Sequence, residues 1–201
     1  MSLPTGPSVT FLFTDIEGST RLERSLGSEP WARLVARHDE LLRTAIETEG
    51  GVVVKTEGDA FFGAFARPLD ALVAAVTAQR AIAAEAWPPE ARIRVRMGLH
   101  LGEGRLRLDP GATEPADYVG IDVNYTARIA AAANGGQIVL SDVLAVRLAD
   151  ALSPTDPRPP ALGDVELVDD GLRALKDFEE PRRLHRLVVP AAADDSRDLR
   201  T

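Results

Sequence analysis

Two aspartates, and the small flexible turns beside them, are the residues of this chain best suited to chemistry. Asp15 ends the run Val9 to Thr14, in which Val9, Phe11 and Phe13 alternate with Thr10, Leu12 and Thr14. That period of two predicts a strand with one well-buried face. Ile16, Glu17, Gly18, Ser19 and Thr20 follow, and Leu22 and Leu26 then begin a helical pattern. Such a turn can aim successive backbone N–H groups at one point and suits phosphate, although Asp15 or Ser19 is equally of a type that simply caps a helix. Asp59 follows a second turn, Thr56-Glu57-Gly58, between the two apolar runs of Gly51 to Phe65, a hairpin pattern. Its neighbours Ala60, Phe61 and Phe62 are apolar, so its carboxylate needs a hydrogen bond, a counter-charge or a metal to stay ionised. Two carboxylates suit a hard cation, because Mg²⁺ takes one or two of them and completes its shell with water and phosphate oxygens.

Further along, Asn124 and Arg128 are four residues apart and share one face of the helix predicted over Val119 to Asn134. Taken alone, that spacing also describes a solvated helix face. Lysine is scarce: of 23 basic residues only Lys55 and Lys176 are lysine. Where arginine dominates so strongly, a surviving lysine marks a place where a compact ammonium suits better than a planar guanidinium.

Three segments carry a resemblance. FTDIEGST at 13–20, KTEGDAFFGAF at 55–65 and DYVGIDVNYTAR at 117–128 resemble, in this order, the signature segments of the class III nucleotidyl cyclase catalytic domain, the family of adenylate and guanylate cyclases. The similarity extends over roughly residues 7 to 189. It implies an α+β fold: a ferredoxin-like βααββαβ core with a mixed, mainly antiparallel sheet and C-terminal additions. It also implies a homodimer packed head to tail, with ATP as substrate and two shared active sites that make 3′,5′-cyclic AMP and pyrophosphate. By resemblance, Asp15, Asp59 and the Ile16 carbonyl hold two Mg²⁺ or Mn²⁺ ions per site, and the backbone of Gly18, Ser19 and Thr20 cradles the β- and γ-phosphates. Asn124 orients the ribose and Arg128 meets charge on the α-phosphate. Lys55 donates to an adenine ring nitrogen, and Asp117 accepts from the 6-amino group. Lys176 stands against the first lysine of a late Lys-Gly-Lys segment found in some relatives, with Phe178 at the second, so a triphosphate contact falls to Lys176 or to an arginine such as Arg173. The alternatives are a guanylate cyclase and a catalytically weak nucleotide-binding domain that signals through a partner. A diguanylate-forming enzyme would need a Gly-Gly-Asp-Glu-Phe type of motif, which is missing.

The rest of the chain must position these groups. Its 201 residues suffice for one domain, read as an extension over 1–6, a catalytic domain over 7–190 and a loose acidic tail over 191–201. A net charge of −8 disfavours nucleic acid or an anionic membrane as partner. The lack of cysteine and of a signal-like N-terminus points to the cytoplasm. Ala71 to Trp87, the longest apolar helical stretch, is too short and too polar to span a bilayer. The predicted order begins with the first strand, a short helix, a break at Gly27-Ser28 and a longer helix from Pro30, with His38 on its surface. The hairpin, a helix over Pro68 to Trp87 and a strand over Arg92 to Leu101 follow. On that strand Arg92, Arg94, Arg96 and His100 face water or an interface. Gly102 to Ala116 reads as a loop or projecting hairpin. After the Asn124 helix come a strand at Gln137 to Leu140, a helix at Ser141 to Leu152, a loop at Ser153 to Pro160 and last strands near Val165 to Val168 and Leu184 to Val189. Helices over one face of a mixed sheet fit this order.

Overall fold

A computed structural model describes residues 2–108, 117–152, 159–190 and 197–200. β1 (Gly6–Ile16) leads through Gly18, whose φ of 73° favours glycine, into α1 (Ser19–Leu26) and α2 (Ser28–Thr48). The hairpin β2 (Val52–Glu57) and β3 (Ala60–Phe65) precedes α3 (Pro68–Ala84) and β4 (Val95–Arg107). The order then runs β5 (Asp117–Val119), α4 (Ile121–Ala132), β6 (Ile138–Ser141), α5 (Asp142–Leu152), β7 (Glu166–Arg173) and β8 (Arg182–Val188). The strands line up as β2-β3-β1-β4-β6-β8-β7, and β5 pairs with the far part of β4. Only β4 and β6 pair in parallel, and α4 makes the crossover between them; every other pairing is antiparallel. This is the mixed, mainly antiparallel α+β sheet the sequence led us to expect.

Helices cover both faces of the sheet rather than one. α2, α3 and α5 pack on the first face around Leu12, Ile16, Leu42, Leu72, Leu99 and Leu148. α4 lies on the opposite face, where Ile129 and Ala132 meet Val139 and Leu184. Consecutive residues Ile138, Val139 and Leu140 are therefore all buried, and β1 is buried on both sides as well, so its alternation of residue types does not mark a wet face. What lets α4 approach is the absence of a side chain: a Cβ on Gly98 would lie 2.3 Å from the Ala130 backbone nitrogen.

Several boundaries move. α2 begins at Ser28, and α3 stops at Ala84, short of Trp87. β4 continues past Leu101 and forms the projecting hairpin with β5; residues 109–116 of the expected loop lie outside the described residues, as do 153–158 of the expected proline-rich loop. Asp117 to Val119, placed partly in a helix by the sequence pattern, is strand β5. His38 is fully buried rather than on the helix surface, because it packs against Phe61 and its Nδ1 sits 2.9 Å from Asp39. Of the expected loose tail, 191–196 and Thr201 lie outside the described residues. Residues 197–200 are docked: the Arg200 N–H donates to the Ala132 carbonyl at 2.8 Å, and Leu199 is buried against α4.

Candidate active site

The ends of β1 and of the β2–β3 hairpin bring the two aspartates together. Ile16 donates its N–H to Asp59 Oδ2 at 2.9 Å. Burial, together with the adjoining Asp15 carboxylate, holds Asp59 above the usual carboxylate range, while the Ile16 N–H pulls the other way. Two like charges in contact are stable only with a cation between or beside them. Arg96, directly opposite Asp15 in the β1–β4 register, supplies one: its Nε is 3.0 Å from Asp15 Oδ2, and Nη2 reaches the same oxygen. The donor set is all oxygen, two carboxylates with a backbone carbonyl beside them, which fits a hard divalent cation that keeps water and phosphate in its shell. No side chain caps α1; the Arg21 N–H donates to the Gly18 carbonyl at 3.0 Å, and the amides of Ser19 and Thr20 before it suit an acceptor from outside. Ser19, Thr20 and Asp59 also border a cleft of about 540 Å³ floored by Trp31 and Val35 of α2.

A second grouping joins the two hairpins. Lys55 on β2 donates from Nζ to Asp117 Oδ2 of β5 at 2.6 Å. Beneath this pair Phe11, Phe62 and Tyr118 pack edge to face or tilted, with Lys55 Nζ 5.9 Å from the centre of the Phe62 ring. A third grouping surrounds α4. Asn124 is exposed and its side chain makes no hydrogen bond among the described residues, whereas Arg128 Nη2 donates to Asp177 Oδ2 at 2.6 Å. Asp177 has a positive φ of 68°, a conformation costly for a non-glycine residue, and the bend sits in the loop that delivers its carboxylate. Lys176 is exposed and lines a small cavity with Arg128; Arg173 belongs to β7 and lines none of it. No direct hydrogen bond or ion pair among the described residues joins the side chains of Asp15 and Asp59, of Lys55 and Asp117, and of Arg128 and Asp177 to one another.

His100 serves the third grouping from below. Its Nδ1 is 2.8 Å from Ser141 Oγ and its Nε2 3.3 Å from Asp122 Oδ1, which ties the start of α4 to β4 and to the start of α5. Burial pushes its pKa down, against the pull of Asp122. Sequence reasoning missed Arg96, read only as part of a polar strand face. It also missed Arg197 and Arg200, both of which hold Glu17. Their one visible signal was basic charge in a tail otherwise small and acidic.

A family profile described as the adenylate and guanylate cyclase catalytic domain matches residues 2–162, and the chain belongs to that family. An uncharacterized protein of Mycobacterium tuberculosis is 37% identical over 204 residues, covering 98% of this chain; the match spans 61% of that relative's length. An adenylate cyclase of Mycosarcoma maydis is 39% identical over 153 residues, covering 66% of this chain and 6% of that much longer protein. Among solved structures, an adenylate cyclase from Trypanosoma brucei in its monomeric state superposes with a TM-score of 0.78 at 26% identity, over 96% of this chain and 94% of that one. A guanylate cyclase domain from Catenaria anguillulae, in complex with GTP, shares the fold with a TM-score of 0.76 at 18% identity, over 92% and 98% of the two chains. Among the described residues no helix is long and apolar enough to cross a membrane.

Proposed function

We propose that this chain is an adenylate cyclase whose domain over 7–190 acts as a homodimer, each of two sites drawing groups from both copies. The observation that carries the choice of ATP is the Lys55–Asp117 pair, a donor and an acceptor held 2.6 Å apart over an aromatic floor. Adenine offers an acceptor at N1 and a donor at its 6-amino group; guanine reverses both and would leave two desolvated groups facing like partners.

The reaction forms a bond between the ribose O3′ and the α-phosphorus, breaks the bond to the β-phosphate, and releases pyrophosphate and a proton. Asp15, Asp59 and the Ile16 carbonyl would hold two Mg²⁺ or Mn²⁺ ions, which when bound supply the positive charge that favours loss of the 3′ proton and neutralises the triphosphate. The first-turn amides of Gly18, Ser19 and Thr20 hold the β- and γ-phosphates. Asn124, whose side chain has no hydrogen-bond partner among the described residues, fixes the ribose. Arg128 moves from Asp177 to the charge that grows on the α-phosphate as the leaving group departs, so its contribution is electrostatic and positional. A shared site is consistent with the Asp15–Asp59 pair having no direct hydrogen bond or ion pair, among the described residues, to Lys55, Asp117, Asn124 or Arg128. The test is incubation of purified protein with ATP or GTP and Mn²⁺, with products identified by mass. Cyclic AMP in clear excess over cyclic GMP is the expected result; cyclic GMP alone would make the chain a guanylate cyclase, and neither product would leave a binding domain.

A further inference from the structure

A basic cavity of about 170 Å³ lies beside the C-terminal end of α4, lined by Arg128, Lys176 and Arg200 together with alanine and leucine side chains. No carboxylate lines it. Around it, Arg128 is paired with Asp177, while Arg197 and Arg200 share the single carboxylate of Glu17, and Lys176 has no ion-pair partner among the described residues. Among the ion pairs of the described residues here, three guanidinium groups thus meet two carboxylates, with Lys176 beside them, on a chain whose net charge is −8. Arg197 engages both oxygens of Glu17, so that carboxylate keeps a cationic partner when Arg200 turns to an incoming anion.

Arg200 is held ready for that. Its N–H bonds the Ala132 carbonyl at 2.8 Å and its Nε donates to Asn134 Oδ1 at 3.0 Å; Asn134 Nδ2 in turn donates to the Asp198 carbonyl at 2.8 Å. Leu199 anchors the same segment in the cluster with Ile129 and Leu175. Most of the ordering entropy of this arginine is therefore spent before a ligand arrives. Arg197 grips Glu17 from the other side, at 3.2 and 3.3 Å, and donates to the Gly135 carbonyl at 3.0 Å.

We propose that Arg200, contributed by the C-terminal segment, is a phosphate-binding residue of this site. With Arg128 and Lys176 it takes linked phosphate, either the phosphate chain of the nucleotide or the pyrophosphate that leaves. When phosphate enters, Arg200 exchanges Glu17 for it, and Arg197 keeps the Glu17 carboxylate satisfied. The proposal rests on the nucleotide cyclase reading for the identity of its ligand, but all its groups belong to one chain, so binding needs neither metal nor turnover.

The test is calorimetric titration of the full chain with inorganic pyrophosphate in the absence of divalent metal, with cyclase activity measured separately. Arg200→Ala should weaken binding about tenfold, the loss of one charge-assisted contact, and Arg200→Lys should recover part of it. Glu17→Gln should tighten binding, since Arg200 then leaves an amide instead of a carboxylate. A merely loosened C-terminal segment would weaken both variants, so opposite signs identify a direct contact. No pyrophosphate binding by the wild type, unchanged affinity in Arg200→Ala, or parallel weakening in Arg200→Ala and Glu17→Gln each overturns the proposal. Pyrophosphate binding of the expected pattern without cyclic nucleotide from ATP or GTP would uphold the anion site and remove the cyclase reading. Turnover with Arg200 silent in the titration would do the reverse.

Discussion

Asp15 is engaged through Oδ2 by the Arg96 guanidinium, and an ion that takes that oxygen must compete with Arg96. The exchange replaces one cation beside that oxygen with another and leaves Arg96 facing whatever negative group accompanies the ion. If Asp15 and Asp59 both bind metal, Asp15→Ala and Asp59→Ala should each cut turnover on the order of a hundredfold or more. Both variants should keep the wild-type circular dichroism spectrum. Unchanged activity in either one at saturating Mn²⁺ would remove the two-metal reading. These aspartates were legible in the sequence because a carboxylate at a strand end, followed by a glycine turn, is a local pattern. Arg96 was not, since its meaning depends on the register of β1 against β4, which places it opposite Asp15. Nor was the grip of Arg197 on Glu17, which joins positions 180 apart in the chain. His38 was misplaced for a related reason: its burial comes from Phe61 on another element.

At the scale of elements, α4 is the piece whose placement matters most, because it carries both Asn124 and Arg128. It is seated on β4 through Gly98, with no space for a methyl group between that residue and the Ala130 backbone. Gly98→Ala must push the helix outward or distort the strand. Overpacking of this kind costs about 1–3 kcal/mol, which for a domain of this size lowers Tm by roughly 2–12 °C. Turnover should fall further than the stability loss explains, since Asn124 and Arg128 move with the helix. A thermal melt and a kcat measured well below the lowered Tm check both parts; activity at the wild-type level would show that α4 tolerates displacement. The existence of this helix was legible from the four-residue spacing of Asn124 and Arg128. Its side of the sheet was not, because Ala127, Ala130, Ala131 and Ala132 give it a weak apolar stripe, and close packing of small residues is a tertiary property. β5 escaped notice for want of length: three residues hold no period to read.

For the whole molecule, the arrangement of separate groupings makes a stoichiometric prediction. If each site takes Asp15 from one copy and Asn124 from the other, Asp15→Ala and Asn124→Ala proteins should each be nearly inactive alone. In a mixed dimer both lesions fall in one site and the other is intact. Mixing the two under conditions of subunit exchange should therefore restore about a quarter of wild-type activity, for random exchange and independent sites. Demonstrated exchange without recovery would place the catalytic groups within one chain or in another assembly. The strand and helix order behind this picture was readable from sequence, whereas the docking of residues 197–200 was hidden by a composition that resembles a loose tail. The sheet order has one more consequence. β2 stands at the end of the sheet, so one side of its backbone meets no further strand among the described residues, and Lys55 and Glu57 are exposed along it. Charges on a terminal strand keep neighbouring molecules from zipping onto it and growing into fibrils. The lysine read as recognising the base thus also guards the chain's solubility, and replacing it with an apolar residue to retune nucleotide choice would trade selectivity against aggregation.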